Sequence, residues 1–149
     1  MGLLSPTGPA THYTLMFIIS MLAGLLSTMN VWATRFSDIR ISLNDIYMSF
    51  LMTGWMFLFM GLVYQETITF IFGTLLVVGS IWCIRTQFNI TQKEYIQGMI
   101  PHHSMAVHMS QRLLEKQNTI NTFLQKIING QNEEIQFMKR TQEPLSKKI

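Results

Sequence analysis

Apolar positions follow two patterns along the chain. Up to residue 84 they form three nearly unbroken runs, Tyr13 to Ala33, Tyr47 to Tyr64 and Ile68 to Ile84, and none of the three contains a charged side chain. Each comes near the ~20 residues that a helix needs to cross a hydrocarbon core, the third only if it crosses nearly upright. After Arg85 apolar residues recur at helical spacing among polar ones. Thr91-Gln-Lys-Glu94 has the form of a capping box, with Thr91 accepting from the Glu94 amide and the Glu94 side chain reaching back. It predicts a helix over residues 91–116. A polar break at Gln117-Asn118-Thr119 separates this from a second helix, 119–142, with Ile120, Leu124, Ile127, Gln131, Glu134, Ile135 and Met138 on one face and Pro144 as its stop. The pattern predicts an all-α chain, with a membrane domain over 1–86 and a helical-hairpin domain over 87–149.

Composition strengthens the membrane reading. Charged residues make up 13% of the chain, well under the ~25% of ordinary soluble domains. Before Arg85 the only ones are Arg35, Asp38, Arg40, Asp45 and Glu66. The first run reads as a retained helix and not a signal peptide, since no basic residue precedes it and no small-residue cleavage site ends it. Arg35 and Arg40 flank and occupy the Phe36–Ile46 loop, and Arg85 follows the third run, whereas residues 1–12 and the Gln65-Glu66-Thr67 turn have no Lys or Arg. Basic residues collect on the cytoplasmic side, so the N-terminus is expected outside and the hairpin domain in the cytoplasm of a multi-pass membrane protein. Cys83 is the single cysteine; it forms no intrachain disulfide and reads as a packing residue. The net charge of +3 is too small and scattered for a nucleic-acid partner. The chain has no Ser-His-Asp arrangement, phosphate-binding glycine loop or Cys-x-x-Cys to argue for, so no enzymatic activity is expected.

The candidate chemistry is concentrated in Met99-Ile-Pro-His102-His103-Ser-Met105-Ala-Val-His108-Met109, which holds three of the four histidines and three of the twelve methionines. Thioether and imidazole suit soft and borderline metals, copper(I) above all. On a helix turning by roughly 100° per residue, His103 lies about 40° to one side of Met99, His102 about 60° to the other, and Met109 about 80° on that second side. These four share a face. His108 falls opposite and is expected to meet water, and Met105 lies off the shared face. An antiparallel hairpin would bring Glu134 and Met138 towards Met99, His102 and His103. The same spacing also fits a surface histidine pair and methionines that merely pack.

Tyr95-Ile-Gln-Gly-Met99-Ile-Pro-His-His103, together with Gln131-x-x-Glu134-Ile135-x-x-Met138, resembles the domain-of-unknown-function 305 family in motif, order and separation. Gln92 stands where that family usually has an acidic residue, and Thr141 where it often has tryptophan. The resemblance implies a ferritin-like helical hairpin or bundle and copper binding for copper tolerance, through Met99, His102, His103, Met109 and Met138. Glu134, Met105 and His108 are possible additions. Glu134 is nearly alone among carboxylates near the histidines, so a di-iron site is not expected. A two-helix hairpin buries too little to be stable alone, so a homo-oligomer is expected, two hairpins pairing into a four-helix bundle.

Met48, Met52, Met56 and Met60 recur every fourth residue and so form a ridge on one side of the second membrane helix. It is either packing surface or a ladder of soft ligands for Cu(I). Met56-x-x-x-Met60 with three spans and an outside N-terminus is similar to the eukaryotic Ctr copper transporters, although Val77 stands where their Gly-x-x-x-Gly would place the partner of Gly73. The expectation is a membrane-anchored copper-binding protein. The alternatives are a membrane oligomerisation module without metal and a histidine-based pH sensor.

Overall fold

The structure is a computed structural model and describes residues 9–146. It is all-α among these residues: α1 Pro9–Leu26, α2 Leu43–Val63, α3 Thr67–Thr86, α4 Gln92–Leu114 and α5 Asn121–Ser146. Contacts divide the chain into two units, one running to Leu26 and then over Ile46–Phe88, the other formed by Ser27–Asp45 and everything from Asn89.

Three stretches, lying mostly in the first unit, are long and apolar enough to cross a membrane: His12–Trp32, Leu43–Val63 and Thr67–Thr86. Glycines set how closely α2 and α3 approach. A Cβ on Gly73 would run into the Leu58 backbone and lie 2.8 Å from the Gly54 carbonyl, and one on Gly54 would lie 2.9 Å from the Val77 nitrogen. Gly73 therefore serves a crossing within the chain, and Val77 beside it is buried, while Gly79 faces open space. Phe17 of α1 meets Phe50, Phe57 and Phe72 at ring separations of 6.2–6.4 Å. α3 closes on Gln87, which takes the left-handed conformation (φ 50°) and donates its amide to the Cys83 and Ile84 carbonyls. That satisfies carbonyls the helix end would leave open.

In the second unit α4 and α5 form the hairpin. Ile96, Ile100 and Val107 pack against Ile135 and Met138, with Met99 and Ile128 at the edge. Burying each such side chain contributes on the order of 1.5–3 kcal/mol before entropy is counted. Thr91 caps α4 as expected, its hydroxyl accepting from the Glu94 amide at 3.3 Å. The reciprocal half of the box is different: Glu94 Oε2 accepts from the Leu43 amide at 2.7 Å. The open amide at the first turn of α2 competes for the carboxylate and holds it.

Four further expectations are corrected. The first apolar run is α-helical only to Leu26, because the Asn30 side chain turns away to bond the Arg40 backbone in both directions, at 2.7 and 2.9 Å. Side-chain bonds of this kind compete with the helix ladder, and Met29–Trp32 becomes a 3-10 turn. The segment taken for a membrane loop belongs instead to the hairpin's unit, so the division at residue 86 does not hold for 27–45. Pro144 does not stop α5, which continues to Ser146; a proline so near a helix end removes only one terminal hydrogen bond. His108 is half-buried, not open to water, its ring edge-on to Trp32 at 6.4 Å, because the 3-10 turn packs on that side of α4.

Candidate functional site

Across the hairpin His103 faces Glu134, with Nδ1 of the first and Oε2 of the second 2.9 Å apart. One turn back on α4 is Met99, and one turn on along the antiparallel α5 is Met138, so the two thioethers occupy the next layer. Met138 is buried and Met99 packs against the cluster that contains it. Met99, His103, Glu134 and Met138 thus make a patch of two soft sulfurs, an imidazole and a carboxylate. Gln131 approaches the same Glu134 oxygen at 3.4 Å.

The His103 ring is 12% exposed, and its Nδ1 is buried without a hydrogen-bond partner, so the approach of Glu134 is a close charge contact and not a directed bond. Burial holds the His103 imidazole below the usual histidine range; the Glu134 charge opposes this and His102 adds to it. The neutral ring keeps a lone pair for a ligand near neutral pH.

The other candidates separate. His102 is exposed, with its ring centre 5.9 Å from that of His103, so it rims the patch. Met109 shares the helix face but sits ten residues from Met99, about 15 Å along the axis, too far to ligate the same ion; it is 53% exposed. Met105 is half-buried, and His108 is occupied by Trp32. Among the described residues no three His, Cys, Asp or Glu side chains converge to hold a metal, so an ion at this patch depends on the thioethers. On α2, Met48, Met52 and Met56 are 40–54% exposed and Met60 is half-buried. The Met56 sulfur accepts from the Ser20 hydroxyl at 3.1 Å.

A second polar cluster lies on the other side of α4. Asp38 is 2% exposed and accepts from the Ser104 hydroxyl at 2.9 Å. Ser104 Oγ in turn accepts from the Thr34 amide at 2.8 Å, and the Thr34 hydroxyl donates to the Ser104 carbonyl at 3.0 Å. Lys139 forms an ion pair with Asp38 and donates to Ser37 Oγ at 3.0 Å. Sequence reasoning missed this cluster. Its trace was Ser104 itself, a hydroxyl four residues after Ile100 and three before Val107, at a core position that demands a partner.

Residues 85–142 match the family model described as a domain of unknown function, DUF305. The chain is also 42% identical over 134 residues to an uncharacterized protein of Acanthamoeba polyphaga mimivirus, covering 83% of this chain and 86% of the viral one. Residues 85–142 belong to the domain-of-unknown-function 305 family. The family match covers α4 and nearly all of α5, and thus the whole Met99–His103–Glu134–Met138 patch. No solved structure matches the chain.

Proposed function

We propose that this chain is a membrane-anchored copper-binding protein acting in copper tolerance or trafficking, with Cu(I) as its cargo. The observation that carries the reading is the layering of Met99 and Met138 beside a largely buried, neutral His103 whose Nδ1 lies 2.9 Å from Glu134. Thioether and neutral imidazole favour Cu(I) over harder ions. Glu134 supplies negative charge beside the ring, and His102 stands at the rim as the group that receives or releases the ion. Met109 and the Met48–Met60 ridge are then separate soft surfaces that pass copper along. The outward placement of most of the ridge suits that role or contact with a second copy.

The three apolar helices span the membrane in this reading, with the N-terminus outside and the hairpin in the cytoplasm. The second unit is assembled from two stretches separated in sequence by α2 and α3, and two spans return a chain to the side it left. The hairpin pairs with another copy into a ferritin-like four-helix bundle; Met109, Leu113, Phe123 and Phe137, all exposed, supply apolar surface for it. That surface also favours a second reading, an oligomerisation module without metal.

The test is metal analysis of detergent-purified protein after Cu(I) loading and desalting. Wild type retains about one copper per hairpin, and Met99→Leu/Met138→Leu and His102→Ala/His103→Ala each lose it. Leucine replaces methionine at nearly constant volume, so the core survives the first pair. Met52→Leu/Met56→Leu keeps hairpin copper unless the ridge and the hairpin form one path. Wild type that holds no copper, or copper retained in both hairpin variants, sinks the reading and leaves the oligomerisation module.

A further inference from the structure

The first unit contains a cavity of about 810 Å³ lined, among the described residues, chiefly by Tyr13, Phe17, Phe57, Glu66, Thr69 and Phe72. We propose that this cavity binds a lipophilic organic cation, a compact ammonium or phosphonium bearing aryl or alkyl groups, with its charge beside Glu66 and its body against the phenylalanines. Cavities of a few hundred to about 1,000 Å³ hold small organic molecules. Phe17, Phe57 and Phe72 form a connected wall, with ring centres 5.3–6.4 Å apart. The negative face of an aromatic ring attracts a cation, more strongly away from water.

Glu66 supplies charge complementarity. It is the only acidic residue in the first unit, and that unit's one Lys or Arg, Arg85, is nineteen residues further on, about 28 Å away along α3. Its Oε2 accepts from the Tyr13 hydroxyl and, at 3.0 Å, from the Thr69 hydroxyl. A carboxylate has about four acceptor positions, so among the described residues two remain for a ligand. The two bonds hold the Glu66 carboxyl below the usual carboxylate range, the Tyr13 bond having the larger effect, so the charge is present at neutral pH. A neutral lipid tail would use the rings and leave this anion uncompensated at the rim. A cation uses both.

The experiment is equilibrium dialysis of the full chain in detergent against tetraphenylphosphonium and tetraphenylborate, two ions of nearly the same shape and opposite charge. Wild type takes up the phosphonium and excludes the borate. Glu66→Gln weakens phosphonium binding about tenfold or more, and Phe72→Leu, which keeps the carboxylate, weakens it severalfold. Equal uptake of the two ions by wild type marks a neutral apolar groove and overturns the proposal, as does unchanged phosphonium affinity in Glu66→Gln. The wild-type comparison decides the matter even if a variant fails to fold. It involves no residue of the hairpin, so the copper reading stands or falls separately.

Discussion

His103 is held between burial, which favours the neutral ring, and Glu134, which favours the charged one. Because burial dominates, the folded chain binds the His103 proton less readily than the unfolded chain does. The associated stability is present above the ordinary histidine range and is lost as pH falls through the lowered value. In the metal-free protein the His103 ring carbon–proton resonance should titrate below that range. In Glu134→Gln the midpoint should move lower still, since the charge that raised it is gone. Isotope-labelled histidine NMR in detergent measures both, and an upward move in the variant would contradict the assignment of Glu134 as the opposing charge. At this scale the sequence was legible where the partner is local. Thr91 caps α4 because its partner is three residues away. The destination of Glu94 was not legible, since Leu43 lies fifty-one residues away in sequence. Helix angles placed Met99 and His103 on one face, but the same angles included Met109, because a wheel ignores the rise along the axis.

Among the elements, α4 is the one both sides of the second unit depend on. One face meets α5 through Ile96, Ile100 and Val107, and another presents Ser104 to Asp38. The first face is apolar, yet the face read from the sequence was the neighbouring one of Met99, His102, His103 and Met109. Binary patterning could not predict the second, which is a polar side chain satisfied by a segment that reads as a connecting loop. Asp38 matters most there, since a carboxylate 2% exposed is costly without its cation. Lys139→Met should destabilise the unit by about 2–3 kcal/mol, less than the ~3–5 kcal/mol of a fully buried pair because the lysine side chain is 22% exposed. Asp38→Asn/Lys139→Met should recover part of that loss, because no buried charge is then stranded. A double-mutant cycle followed by thermal melting measures the coupling. If the two single losses simply add in the double variant, the pair does not hold the 27–45 segment to the hairpin.

For the whole molecule, three long apolar runs made the membrane-compatible helices legible, since length and hydropathy are properties of the sequence itself. The discontinuity of the second unit was not legible: residues 27–45 hold four of the five charges before Arg85 in a mixed pattern that reads as a connecting loop, and only their long-range bonds reveal where they belong. That discontinuity bears directly on sidedness. If Ser27–Asp45 and the hairpin form one unit, residues 36 and 117 must face the same side, and the Gln65 turn between the two returning spans must face the other. The sparse positive charges predict the cytoplasm for the first pair. Single cysteines replacing Phe36, Gln65 and Gln117 in a Cys83→Ser background test this with a membrane-impermeant maleimide. Phe36 is 93% exposed, so its replacement disturbs little packing. Intact cells should label only the Gln65 position, and permeabilised cells all three. Labelling of the Phe36 and Gln117 positions alone would keep the discontinuous unit and reverse its side. Labelling of Gln65 and Gln117 together, without Phe36, would place an odd number of spans between residues 36 and 117 and break the three-span reading.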